Sequence, residues 1–235
     1  MKVSALIVAA GRGNRMGAKK GKPYLMLAGN PILAHTLSEF ERCALIDETL
    51  LIVAKNDIEL SRVSIVETFK FTKVSKIIVG GLKRQDSVWE GLKALKNDSE
   101  LVMVHDGVRP FVSQEVLEKS IHETFSCGAT IAAVPVKDTI KMVSERKEVL
   151  ETLDRDKVWM VQTPQTFRLD ILIMAFEKAF KDGFYGTDDA SLVERIGVKV
   201  KVIPGSYENI KITTPEDLIL GEAILQRRAS MMHNA

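Results

Sequence analysis

The sequence has little sulfur and little imidazole: two cysteines and four histidines in 235 residues. Cys43 and Cys127 lie far apart and share no metal-type spacing with any histidine, which excludes a disulfide framework or a zinc site and points to a reducing, cytoplasmic setting. No stretch approaches the roughly 18 apolar residues of a membrane helix. Val3 to Ala10 is apolar behind one lysine, but it is short for a signal-peptide core and reads as a buried strand. Charge of one sign is nearly missing too. With 33 basic residues against 31 acidic, the net charge is +2, too small to draw the whole chain to nucleic acid or a membrane surface. There is no internal repeat, low-complexity tract or Pro/Gly linker. What remains, 46% hydrophobic and 27% charged residues, is ordinary globular usage. The length allows one large domain or two small ones, and a single domain over 1–235 with a projecting arm is expected.

One absence is local. No acidic residue precedes Glu39, whereas Lys2, Arg12, Arg15, Lys19, Lys20 and Lys22 all do. An excess of cations at the start of the chain suggests an anionic ligand there, although a solvated basic face has the same composition.

Short apolar runs alternate with amphipathic segments of helical length. Strands are expected at Val3 to Ala9, Thr49 to Val53, Ser75 to Val79, Leu101 to His105, Ala129 to Pro135 and Lys199 to Ile203. Helices are expected at Pro31 to Cys43, Asp57 to Phe69, Arg84 to Leu95, Gln114 to Phe125, Leu169 to Lys181, Asp188 to Arg195 and from Thr214 to about Arg228. At the last of these, Thr214-Pro215-Glu216-Asp217 supplies an N-cap, a proline at the first helical position and early acids. The fold class is therefore α/β, a Rossmann-like, mostly parallel sheet with helices on both faces. Right-handed crossovers put its active site at the carboxyl ends of the strands. Between Lys137 and Val158 the alternation breaks into a charged, β-branched stretch with a polar centre at Ser144 to Lys147. This reads as a projecting β-hairpin that packs on a second subunit.

The stretch AAGRGNRMGAKKGKP, Ala9 to Pro23, follows the first strand. Gly11, Gly13 and Gly17 let the backbone come close to a ligand, and successive N–H groups in such a turn form an anion nest beside Arg12, Arg15 and Lys22. A dinucleotide fingerprint fits poorly, because the third glycine is one residue late and Lys55-Asn56 stands where the ribose acid belongs. A Walker A loop fits poorly as well, with Pro23 in place of the magnesium-binding hydroxyl. The better match is the nucleotidyltransferase signature A-A-G-x-G-x-R-M followed by a lysine beside a proline. Further along stand GGLKRQDSV (80–88), VHDGVRPF (104–111), VKDTIK (136–141), LDRDKVW (153–159), QTPQTF (162–167), GTDDAS (186–191) and NIKITTPEDL (209–218).

With these eight motifs in order, the sequence resembles the 2-C-methyl-D-erythritol 4-phosphate cytidylyltransferases, CTP-using enzymes of the non-mevalonate isoprenoid pathway. The resemblance implies the nucleotide-diphospho-sugar transferase type of sheet and attack of a sugar-phosphate oxygen on the α-phosphate of CTP. It implies Arg15 and Lys22 as the transition-state pair and Lys211, expected on a late strand, as a contact to both phosphates. The nucleotide would meet Ala9, Ala10, Gly11, Arg12, Gly13, Gly81, Ser87, Asp106 and Gly107. The acceptor would meet Asp106, Arg109, Thr163, Thr187 and Lys211, with Thr139 and Arg155 delivered by the arm of a partner in a homodimer. Read without the family, Asp106 has three open roles: a ligand hydroxyl, a metal ion, or a pair with Arg109. The implied cation is Mg²⁺, carried mainly by the CTP phosphates, and no general base is needed because the acceptor phosphate is already ionised. Ribitol 5-phosphate as acceptor, or a silent nucleotide-binding module, are the alternatives. His105 reads as a packing residue, or one that supports the site from behind, rather than a base.

Overall fold

The computed structural model describes residues 2–11, 21–95 and 98–233. Eleven strands, β1 (Val3–Val8), β2 (Met26–Leu27), β3 (Asn30–Pro31), β4 (Glu48–Val53), β5 (Val74–Val79), β6 (Leu101–Asp106), β7 (Ala129–Pro135), β8 (Lys141–Val143), β9 (Val149–Thr152), β10 (Trp159–Arg168) and β11 (Lys201–Pro204), occur among these residues. Seven α-helices accompany them: α1 (Ile32–Arg42), α2 (Ile58–Ser61), α3 (Arg84–Ala94), α4 (Gln114–Cys127), α5 (Leu169–Lys181), α6 (Asp189–Arg195) and α7 (Pro215–His233).

Seven strands form the central sheet in the order β11-β7-β10-β6-β1-β4-β5. All pairs are parallel except those of β10, which runs antiparallel between β6 and β7. Period-two alternation sends Val3, Ala5 and Ile7 of β1 to one face, where they meet Leu33, Leu37 and Phe40 of α1 together with Leu117 and Ile121 of α4. The opposite face packs Leu6, Ile52, Val104 and Phe167 against Val88 of α3, Phe176 of α5 and Leu192 of α6. Helices thus cover both faces, which is why these strands read as continuous apolar runs.

β10 has no counterpart among the expected strands, because Gln162, Thr163, Pro164, Gln165 and Thr166 look like a loop in sequence. Their polar atoms are satisfied by neighbouring elements. The Gln165 amide donates to Asp188 at 2.8 Å and accepts from the N–H groups of Asp189 and Ala190, both at 3.1 Å. The expected helix over 57–69 is also different: α2 is one turn long and widens into a π-helix at Arg62–Glu67. Arg62 pairs there with Glu67, five residues on, a spacing that suits the wider turn. Elsewhere Ser113 caps α4 and Gly128, at φ 86°, ends it in the left-handed region. β8 and β9 form a separate two-stranded antiparallel sheet with every residue exposed, the hairpin expected between 137 and 158.

Candidate active site

β1 lies between β4 and β6, and the connections of β1 and β6 leave in opposite directions across the sheet. Such a switch point opens a crevice at the carboxyl ends of the strands. Here it is a cleft of about 680 Å³ lined by Ala9, Ala10 and Gly11 after β1, Lys55 after β4, Gly81 after β5 and Asp106 at the end of β6. Two glycines let its walls close up. A Cβ on Gly107 would lie 2.9 Å from Cβ of Ala9, and one on Gly81 would lie 2.3 Å from Cβ of Asp86. The Ser87 hydroxyl accepts from the Gly81 N–H (3.1 Å) and donates to the Lys83 carbonyl (3.0 Å), so it shapes the 81–87 turn. Asp86 closes the N-terminus of α3 by accepting from the Lys83 N–H at 3.0 Å.

Asp106 is the electrostatic centre. Lys211 Nζ lies 2.8 Å from Oδ2, Arg109 Nε lies 3.4 Å from the same oxygen, and Arg84 Nε lies 3.3 Å from Oδ1. Burial alone would raise this carboxyl's pKa, but the charges of Arg84, Lys211 and Arg109 together outweigh it and hold the group well below the usual carboxylate range. The pairing with Arg109 is one of the roles open in sequence. Surrounded by three cationic side chains, Asp106 does not present the free carboxylate that a protein-held metal needs. No cluster of three or more His, Cys, Asp or Glu suited to a metal occurs among the described residues.

The backbone around this centre is cross-braced. The Asp106 N–H donates to Thr163 Oγ1 (3.1 Å), the Thr163 carbonyl accepts from the Asn209 amide (2.8 Å), and the Asn209 carbonyl accepts from Arg109 Nη1 (2.8 Å). Lys211 is not on a strand: β11 ends at Pro204, and Lys211 sits in an irregular segment held by the Ile212 N–H on the Val108 carbonyl (2.9 Å). Asp217 in the first turn of α7 accepts from the N–H groups of Thr213 (2.7 Å) and Thr214 (2.9 Å), as the Thr-Pro-Glu-Asp sequence predicts for a helix start. That fixes the Thr213 carbonyl, which accepts from Nζ of Lys22 at 2.9 Å across the cleft. His105 is fully buried against Phe40, with Nε2 at 3.1 Å from the Arg109 carbonyl, and burial pushes its pKa down to about 4. It packs, as the sequence suggests.

The family profile described as IspD, 2-C-methyl-D-erythritol 4-phosphate cytidylyltransferase, matches residues 3–227. The chain belongs to this family. It is 50% identical over 227 residues to the 2-C-methyl-D-erythritol 4-phosphate cytidylyltransferase of Alkaliphilus metalliredigens, covering 97% of this chain and 94% of that one. Its identity to the Alkaliphilus oremlandii protein of the same name is 48%, over 97% of this chain and 96% of the relative. Among solved structures, a 4-diphosphocytidyl-2C-methyl-D-erythritol synthase from Anaerococcus prevotii is similar, with TM-score 0.85, 39% identity and 96% of both chains covered. The Thermus thermophilus cytidylyltransferase gives TM-score 0.79 at 30% identity, over 96% of this chain and all (100%) of that one.

Of the residues singled out by the resemblance to the cytidylyltransferases, Ala9, Ala10, Gly11, Lys22, Gly81, Ser87, Asp106 and Lys211 line the cleft. Gly107, Arg109 and Thr163 support its floor. Arg12, Gly13 and Arg15 lie outside the described residues. Thr187 is exposed on the loop before α6, and Thr139 and Arg155 are exposed on the arm. Sequence reasoning missed Arg84 and Asp189, which are joined by an ion pair of 2.8 Å beside Asp106. Both belong to recognisable motifs, GGLKRQDSV and GTDDAS, but only the fold reveals that they meet.

Proposed function

We propose that this chain transfers the cytidylyl group of CTP to 2-C-methyl-D-erythritol 4-phosphate, releasing pyrophosphate and forming 4-diphosphocytidyl-2-C-methyl-D-erythritol for isoprenoid precursor synthesis. An acceptor phosphate oxygen forms a new bond to the α-phosphorus of CTP as the bond from that phosphorus to the β-phosphate bridging oxygen breaks. The electron pair leaves on pyrophosphate, and no proton has to move. The chemistry needs cations at fixed positions around a crowded phosphate and little else. Lys22, placed by the Thr213 carbonyl, and Lys211, paired with Asp106, line one cleft with Arg109 on the same carboxylate, and this juxtaposition carries the reading. Arg15 adds a further charge at the α-phosphate.

Magnesium enters with the CTP phosphates and offsets charge on the leaving pyrophosphate, which agrees with a cleft rich in cations and poor in free carboxylates. Gly81 and Ser87 form the turn that receives cytosine, while Asp106, Thr163 and Thr187 face the acceptor. The protein acts as a cytoplasmic homodimer in which the arm, 137–158, carries Thr139 and Arg155 to the partner's acceptor site. Nucleic acid and membranes are not partners.

Pyrophosphate release followed with CTP, magnesium and each sugar phosphate tests this directly. Turnover with methylerythritol phosphate, abolished by EDTA, is expected. Turnover with ribitol 5-phosphate alone overturns the acceptor, and release with neither points to a silent nucleotide-binding module.

A further inference from the structure

Arg84 is the first residue of α3, and its guanidinium spans two carboxylates that arrive from different elements. Nε reaches Asp106 at 3.3 Å, and Nη1 reaches Asp189, the first residue of α6, at 2.8 Å. The Asp189 side chain is 1% exposed, and no hydrogen bond from another described residue reaches its carboxylate. An acid buried this deeply is strongly destabilising unless a cation is fixed beside it. Arg84 is that cation.

The three cations on Asp106 are therefore not equivalent. Lys211 is 40% exposed and extends from an irregular segment, and Arg109 divides its donors between Asp106 and the Asn209 carbonyl. Both answer to the acceptor phosphate in the proposed cytidylyl transfer, a reading on which the role of Arg84 depends. A phosphate that draws Lys211 and Arg109 toward itself takes counter-charge away from a carboxylate only 9% exposed, with an anion newly placed nearby. Arg84 cannot follow, because Asp189 holds its other end. The same corner is braced by Gln85, whose amide donates to the Phe184 carbonyl at 3.1 Å and accepts from the Gly186 N–H at 3.0 Å, tying the loop that bears Thr187 to the start of α3.

We infer that Arg84, anchored by Asp189, is a positioning residue of the transfer reaction: it stays on Asp106, fixing that carboxylate, while Lys211 and Arg109 turn to the phosphates. Its effect belongs to the complex with both substrates. With CTP alone, Arg109 still serves Asp106 even where Lys211 meets the α-phosphate, so nucleotide binding changes little.

Steady-state kinetics on the full chain distinguish this from simple support of the loop. Arg84→Lys keeps the charge but loses the fork that reaches both carboxylates, and Asp189→Asn keeps the size but loses the anchor. The double variant Arg84→Gln/Asp189→Asn leaves neither charge buried alone, so it remains informative where removal of Arg84 by itself prevents folding. For each variant that matches the wild type in circular dichroism, kcat is expected to fall about 10- to 100-fold while KM for CTP stays within about threefold. The double variant is expected to be no slower than the slower of Arg84→Lys and Asp189→Asn, because both residues act through one link. Values of kcat within about twofold of wild type in Arg84→Lys and Asp189→Asn overturn the inference, as does a raised KM for CTP at unchanged kcat. A wild type that releases no pyrophosphate overturns the proposed activity and this inference with it, whereas an active wild type with unaffected variants overturns the inference alone.

Discussion

His105 and Asp106 are consecutive, buried and opposite in behaviour. Asp106 is surrounded by cations and keeps its charge; His105 is enclosed by apolar groups such as Phe40 and stays neutral. An imidazole whose pKa is pushed down from 6.5 to about 4 binds its proton more readily in the unfolded chain, so stability falls as the pH drops from 6.5 to about 4 and the contribution levels off below. The change corresponds to roughly 3 kcal/mol. His105→Gln, which keeps a donor for the Arg109 carbonyl, is expected to flatten urea midpoints across that window, and an unchanged slope would refute the assignment. Asp106 has the depressed pKa of a paired acid, so its share of stability is complete above the ordinary value of 3.8 and is lost only as the pH falls below it. The two windows are separate. For activity, Lys211→Ala is expected to lower kcat/KM about 10²- to 10³-fold without loss of structure, since the side chain is half-exposed. A loss of less than about threefold would remove Lys211 from the phosphate site.

At the scale of elements, the start of α3 and strand β10 show how far local sequence carries. The 80–88 motif announces a tight turn, and the structure gives the reason: any Cβ on Gly81 would collide with Asp86, the residue that caps the helix. Gly81→Ala is expected to cost about 1–3 kcal/mol through forced displacement of that turn. It is also expected to raise KM for CTP several-fold, read by melting and kinetics together. β10 was illegible because its buried face is polar and its partners lie far away in the chain. Thr166 shares a hydrogen bond of 2.6 Å with Ser120 of α4, and Gln165 is gripped by the start of α6. Burial of such groups is tolerable only once those helices are in place. Its apolar anchor is Phe167, fully buried, and Phe167→Ala is expected to destabilise the fold by about 3–5 kcal/mol in urea titrations.

At the scale of the whole molecule, the arm is the part that does not explain itself within one chain. Val143, Val149, Leu150, Trp159 and Met160 are exposed along the hairpin and the strand leading from it. The proposed homodimer would cover this apolar surface by exchange of arms between two copies. Light scattering is expected to give twice the chain mass of 26.1 kDa. Mixing Arg155→Ala with Lys211→Ala subunits is expected to restore part of the activity, because a hybrid dimer holds one site with both residues intact. No recovery in hybrids shown to form would mean that each subunit completes its own site.

Composition and periodicity were enough to determine a doubly covered α/β sheet, the positions of six of its strands and a hairpin. Each of these depends on neighbours within a few residues, or on one face of an element meeting a generic apolar core. The tertiary structure alone decided that β10 enters antiparallel, that Lys211 lies off any strand, and that Arg84 and Asp189 meet at Asp106. These depend on groups remote in sequence coming within hydrogen-bonding distance, where a buried charge is stable only beside a particular partner. No local pattern records which partner that is.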